Sequence, residues 1–357
     1  MLLPLLLTVT AARTVDFYIG TYTSKEGSRG IYRAQLNGET GEISKPELAV
    51  EAENPSYVAM RKDRLYAVHE AQKGEVSAYQ IEKDGTLTHL NTQLSSGDGP
   101  CFVSVDPKGK NVLVASYGQG ALAVLPIVKD GSLAPASQVI QNKGSGPNKG
   151  RQEGPHLHSI YADAKARFVY ACDLGTDEVL VYRFDPAKGT LTAEPSAKVP
   201  AGGGPRHLAF GKVGKVVYAN NEMGDAVTVF AVDEKSGALK ELQTISTLPE
   251  GHNGSNTTAA IVVHPNGKWL YVSNRGHESI AVYAIGHDGT LKLVEIAASG
   301  VRIPRGFDID PSGKWLVAAG QSSNDLVSLA IDPKTGKLAP SGHRVALEKP
   351  VCVVFRR

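Results

Sequence analysis

Short apolar runs recur along the chain, each bounded by Gly, Pro, Asn or Asp. They read DFYIGTY (16–22), RLYAVHE (64–70), NVLVASY (111–117), FVYACDL (168–174), VVYANNE (216–222), WLYVSNR (269–275) and WLVAAGQ (315–321). Val, Tyr, Leu and Ala between turn residues predict β-strands. A second run follows each after a polar turn, as in GIYRAQL (30–36), EVLVYRF (178–184) and SIAVYAI (279–285). Several of these alternate apolar and polar residues, which predicts half-buried antiparallel strands. Turns such as DGTL (84–87), SGAL (236–239) and DGTL (288–291) then reverse the chain into a third run. Gly suits them because it takes positive φ without steric cost. The remaining run of most units starts after Pro: NPSYVAM (54–60), GPCFVSV (99–105), GPHLHSI (154–160), GPRHLAF (204–210), IPRGFDI (303–309) and KPVCVVF (349–355). TTAAIVV (257–263) fills the same place without Pro.

Repeated units of about 50 residues, each with four antiparallel strands, predict an all-β, seven-bladed β-propeller. The last run, PVCVVF, supplies the innermost strand of a blade whose other strands come from residues 16 to about 50. Pairing the two ends in one blade closes the ring and removes an open sheet edge. Residues 14–357 therefore read as one propeller domain. Met1 to about Arg13 is set apart. It is apolar over about ten residues, whereas a membrane span takes about 20. Its small residues fit a signal segment with a Thr-Ala-Ala cleavage site, although it lacks the usual early Lys or Arg.

The repeat also locates charge. Aligning the blades on Asp106, Asp163, Gly211, His264 and Asp310 puts Cys101, His158, Arg206, Ala259 and Arg305 in one register position. Ser56 and Val351 are the rough equivalents in the other two blades. A second position, the end of the next strand, holds Tyr22, Glu70, Tyr117, Leu174, Glu222, Arg275 and Gln321. In antiparallel neighbours the start of one strand lies beside the end of the other. Both positions should therefore surround one mouth of the channel, gathering His158, Arg206, Arg305, Glu222 and Arg275. Two long insertions, 141–158 and 248–258, enter innermost strands and should border the same mouth.

Composition narrows the chemistry. A net charge of +2 excludes a strongly basic nucleic-acid surface, so functional charge must be local. The three cysteines, Cys101, Cys172 and Cys352, lack metal-binding spacing and read as buried apolar side chains. Nucleophile-elbow, phosphate-loop, dinucleotide and zinc-protease motifs are absent. His156 and His158 could present both rings on one strand face to a metal, but no third ligand stands out. His264 reads as a turn residue. His277 and Glu278 read as solvated. Asn253 and Asn256 fit the glycosylation pattern. Arg206 with Glu222 could also be a purely structural ion pair.

YIGTYT (18–23), GPCFVSVDPKG (99–109), RQEGPHLHSI (151–160), DLGTDEV (173–179), GPRHLAF (204–210), NNE (220–222), SNRGHES (273–279) and PRGFDID (304–310) together resemble the propeller-type lactonase family. That family includes bacterial 6-phosphogluconolactonases and fungal carboxy-muconate lactonizing enzymes. The resemblance runs from about residue 16 to the C-terminus. It implies site residues at His158, Arg206, Glu222 and Arg275, with Arg305 matching a further arginine of the phosphogluconolactonase-like members. The implied activity is hydrolysis of a sugar lactone, 6-phospho-D-glucono-1,5-lactone first among them. His158 and Glu222 would be the catalytic pair, with His158 titrating near neutrality. Arg206, Arg275 and Arg305 would bind the small anionic substrate, in a mouth with three arginines against one Glu. No cofactor, nucleic-acid partner or membrane association is implied, and a monomer is expected. The location would be cytoplasmic as for the family, or exported if the N-terminal segment is cleaved. Two other functions fit the same residues: a muconate-type cycloisomerase, and a non-enzymatic binding propeller.

Overall fold

The computed structural model describes residues 14–95, 97–212 and 215–357. The signal-like segment lies outside them. Seven sheets of four antiparallel strands each carry the chain. Their innermost strands neighbour one another in a closed ring around the channel. Six blades run outward in chain order. Blade 1 instead orders Pro350–Phe355, Thr14–Thr21, Gly30–Asn37 and Glu47–Glu51. Phe17 pairs there with Phe355 and Ile19 with Val353, which is the closure expected from the sequence. Blades 2 to 7 follow, with innermost strands Val58–Arg61, Pro100–Val105, Leu157–Ala162, Pro205–Phe210, Thr257–Val263 and Pro304–Ile309.

Seven apolar clusters hold the ring, one between each pair of neighbouring blades. Between blades 7 and 1, for example, Val317 and Leu326 pack with Phe17, Ile19 and Phe355. Fully burying one such side chain is worth about 1.5–3 kcal/mol. A repeated polar peg fixes the angle of packing. In five of the seven blades a tyrosine at the third place of the apolar run donates its hydroxyl to the glycine carbonyl of the next blade's Gly turn; blade 3 has Leu113 there. The pairs are Tyr18 to Gly85 (2.8 Å), Tyr66 to Gly131 (3.0 Å), Tyr170 to Gly237 (3.1 Å), Tyr218 to Gly289 (2.9 Å) and Tyr271 to Gly336 (2.7 Å). All five tyrosines are buried, so the bond satisfies a hydroxyl that would otherwise be costly. Blade 7 has Val317 at that position and uses Trp315 instead, whose indole donates to Gly38 of blade 1 at 3.0 Å. The three cysteines are free and buried, as expected. No helix among the described residues is long and apolar enough to cross a membrane.

Candidate active site

The pairing of the innermost strand slips near its start in every blade but blade 2, whose strand Val58–Arg61 pairs without a shift. Pro100 pairs with Ser116 and Phe102 with Ala115, leaving Cys101 unpaired between them. The same slip frees His158 in blade 4, Arg206 in blade 5, Arg305 in blade 7 and Val351 in blade 1. A bulge of this kind re-aims one side chain and bends the strand. The charged register position of the sequence is thus the bulge residue. Pro tolerates the place just before it because a strand's first residue can lack an N–H. Blade 6 has a wider slip, between Thr258 and Ile261. It contributes carbonyls in place of a charged side chain. Thr258 accepts from Arg275 Nη2 at 2.8 Å and Ala259 from Arg206 Nη1 at 2.5 Å.

Glu222 organises one side of the mouth. Its carboxylate is 4% exposed and meets Arg206 Nε at 2.9 Å, Arg275 Nη2 at 2.9 Å and Arg151 Nη2 at 2.8 Å. Burial alone would raise its pKa, but the three arginines outweigh burial and hold it at about 2. His158 Nε2 lies 3.8 Å from the same carboxylate. The expectation that His158 titrates near neutrality is corrected here. Burial, then the charges of Arg206, Arg305 and Arg275, depress its pKa well below the usual histidine range. The ring is therefore neutral at physiological pH. Its Nδ1 lies 3.6 Å from Cys101 Sγ, which is 3.7 Å from the carbonyls of both Leu157 and His158. Burial pushes the Cys101 thiol far up, so it stays protonated.

Arg151 was not singled out from the sequence, although its insertion was. Its neighbour Gln152 is buried and pinned, donating to Leu174 O at 2.9 Å and to Asp177 Oδ1 at 2.7 Å. That anchor swings Arg151 over the mouth, where Nη2 also reaches the Tyr117 hydroxyl at 3.2 Å. Tyr117 in turn stacks on His156, with ring centroids 4.3 Å apart. The His156 ring contacts Tyr117 O at 3.0 Å and Glu153 at 3.1 Å, apart from His158. Among the described residues, no group of three or more His, Cys, Asp or Glu is placed to hold a metal.

Across the mouth the chemistry differs. Arg305 Nη2 donates to the Tyr22 hydroxyl at 2.9 Å, and its guanidinium lies 5.4 Å above the Tyr22 ring. Tyr22 donates in turn to the Glu70 carboxylate, 3.0 and 3.1 Å from its two oxygens. Tyr22 and Glu70 stand in the strand-end register but were not read as site residues. The site therefore holds four arginines and two carboxylates rather than three and one. Below it, His207, Phe102, Tyr57 and Tyr161 pack ring against ring across the channel, His207 lying 5.3 Å from His158. Beyond this floor the channel opens to the opposite face in a cavity of about 540 Å³.

Three turn residues can now be placed. His264 ties two blades together, its Nε2 lying 2.9 Å from Gly313 O. His277 and Glu278 are not simply solvated. His277 contacts Ser279 Oγ at 2.8 Å, and Glu278 accepts from Ile303 N at 2.5 Å. Asn256, one of the two glycosylation-pattern asparagines, commits its amide to Asp225 at 2.7 Å.

A ring of seven blades with an arginine-bound glutamate and a buried histidine at one mouth defines a class of hydrolytic propellers. The chain belongs to the family described as "Lactonase, 7-bladed beta-propeller", which matches residues 16–355. Its relatives include the 6-phosphogluconolactonase of Bacillus subtilis, 38% identical over 95% of this chain and 97% of that protein. Among solved structures, the periplasmic gluconolactonase of Pseudomonas aeruginosa is 30% identical with a TM-score of 0.91, covering 97% of this chain and 99% of that one. A Bacteroides fragilis protein of the same shape is 36% identical with a TM-score of 0.90, covering 98% and 99%.

Proposed function

We propose that this protein hydrolyses a sugar lactone, 6-phospho-D-glucono-1,5-lactone first among them, to the open-chain acid. The observation that carries the reading is the meeting of His158, Glu222, Arg206 and Arg275 at one mouth. Lactones are activated esters, so the demands on the protein are a base for water and positive charge for the oxyanion. In this reading water attacks the lactone carbonyl and gives a proton to His158 Nε2. That requires the ring's own proton on Nδ1, where Cys101 sulfur can accept it while its S–H turns to a backbone carbonyl. The oxyanion forms against Arg206 and Arg275. When the ring C–O bond breaks, His158 returns the proton to the departing oxygen, leaving a hydroxyl and a carboxylic acid that ionises. Both oxygens of Glu222 already face arginines, Oε1 meeting Arg151 and Oε2 meeting Arg206 and Arg275. Its role is to align the arginines and stabilise the transient imidazolium. Three arginines around one carboxylate leave this side cationic, which suits a phosphorylated or otherwise anionic substrate. The names of the relatives favour hydrolysis over lactone formation.

The test is direct. 6-Phosphogluconolactone is generated in situ and its disappearance is followed with pure protein. Consumption well above the buffer rate is expected. A rate equal to buffer would overturn the reading.

A further inference from the structure

We propose that the side of the mouth formed by blades 7, 1 and 2 is a polyol-reading subsite, which makes the enzyme select lactones that carry ring hydroxyls. This rests on the lactonase reading. It assigns Tyr22, Glu70, Ser56 and Gln321 to recognition, with Arg305.

The two sides of the mouth differ in charge and in how their hydrogen-bonding groups are used. Around Glu222, three guanidinium groups face one carboxylate. On the opposite side a single arginine faces a single carboxylate, joined through one hydroxyl: Arg305 to Tyr22 to Glu70. The second arrangement is formally neutral, so it has no excess attraction for an anion. It does present a donor edge beside an acceptor edge. Only one Arg305 nitrogen is engaged by a side chain among the described residues, leaving N–H groups free. Glu70 keeps lone pairs beyond those taken by Tyr22. A sugar hydroxyl is both donor and acceptor, and neighbouring hydroxyls match adjacent donor and acceptor edges. A carboxylate or phosphate can only accept and would meet Glu70 unfavourably.

Two further side chains point the same way. Ser56 Oγ and Gln321 Oε1 are buried and have no hydrogen-bond partner among the described residues. Ser56 precedes the innermost strand of blade 2 as the rough counterpart of His158, Arg206 and Arg305, although its strand pairs without their bulge. Gln321 occupies the register position of Glu222 and Tyr22, and its N–H donates to Ile303 O at 3.1 Å, beside Arg305. An unpaired buried polar atom costs about 1–3 kcal/mol, which a substrate hydroxyl relieves once a small shift of the neighbouring side chains admits it. The backbone here is also held under strain. Ile303, a β-branched residue, sits at φ 56°, where such residues are rare. Glu278 clamps its N–H, and Arg305 N donates back to Ile303 O at 2.7 Å. The same place before Pro takes positive φ at Asn54, Gly99, Gly204 and Lys349, so the turn belongs to the repeat, and Ile303 is its β-branched occupant.

The experiment compares glucono-1,5-lactone with δ-valerolactone, the same six-membered ring without hydroxyls, for wild type, Ser56→Ala and Tyr22→Phe. Wild type should prefer gluconolactone. Each substitution should raise KM for gluconolactone roughly tenfold, the effect of about one lost hydrogen bond. It should leave kcat for gluconolactone and all constants for δ-valerolactone within about twofold, a split that general loosening of the fold would not give. Arg305→Lys, which keeps charge but loses the planar edge, should raise KM for gluconolactone at least as far as Tyr22→Phe does. Equal losses on both lactones, or no wild-type preference, would overturn the subsite. Wild type that consumes neither gluconolactone nor its 6-phosphate would instead overturn the lactonase reading.

Discussion

Blades 4 to 6 and blades 7, 1 and 2 present the same two backbone positions to the same mouth, yet they carry different chemistry. In the first group the bulge and strand-end residues are His158, Arg206, Glu222 and Arg275, compressed into one ionic knot. In the second they are Arg305, Val351, Ser56, Gln321, Tyr22 and Glu70, with one arginine and one carboxylate linked by a tyrosine. Five blades repeat the same bulge, and the bulge offers each of them one inward side chain. The contrast teaches that reactivity and recognition can be divided between halves of one ring without altering the scaffold.

The largest effect that would sharpen this contrast is expected at His158. His158→Asn should lower kcat by roughly 10²–10⁴ while leaving KM for gluconolactone nearly unchanged, the reverse of the Tyr22→Phe pattern. Steady-state kinetics on both variants would check it, and a KM effect at His158 would erase the division. Next comes Glu222→Ala, which strands Arg206 and Arg275 in a buried place. It should cost on the order of 3–5 kcal/mol of stability in denaturant melts as well as activity. Arg151→Ala should lower kcat roughly tenfold, the worth of one charge-assisted hydrogen bond. Its guanidinium is partly exposed, so the melting temperature should barely move.

Smaller, but diagnostic, is the pH profile. His158 remains neutral well below its ordinary 6.5, and Glu222 remains ionised down to about 2. The kcat profile should therefore show no inflection near 6.5, its acid limb falling lower. Stability has the opposite sensitivity. The unfolded chain protonates this histidine near 6.5 whereas the folded one does not, so stability is full above that pH and declines below it. Thermal melts at two pH values, repeated with His158→Asn, would isolate the contribution. The smallest change is expected for Tyr66→Phe, which removes one inter-blade peg. It should cost about 1 kcal/mol and leave both halves of the mouth untouched.

The fold was legible because a period near 50 residues survives in the apolar runs, the Gly turns and the Pro starts. His158, Arg206, Glu222, Arg275 and Arg305 were legible because the repeat supplies its own register, against which a charge stands out. Arg151 was not, since an insertion has no counterpart in other blades. Only its neighbour Gln152, buried on Leu174 and Asp177, explains its reach. Tyr22 and Glu70 were written into the register but carried no local mark of partnership. They lie 48 residues apart in sequence and bond across a blade boundary. The pKa of His158 was equally hidden, because the charges that depress it arrive from blades 5, 6 and 7.

One feature of the ring reaches back into the making of the protein. The strand Pro350–Phe355 forms the channel wall of blade 1, beside the blade that carries Arg305, and pairs with residues 17–21. During synthesis the first blade thus waits for a partner that follows all six other blades along the chain. Until residues 350–355 leave the ribosome, Thr14–Thr21 has an unpaired edge and the mouth lacks one side. Emergence of that strand both seals the ring and completes the pocket.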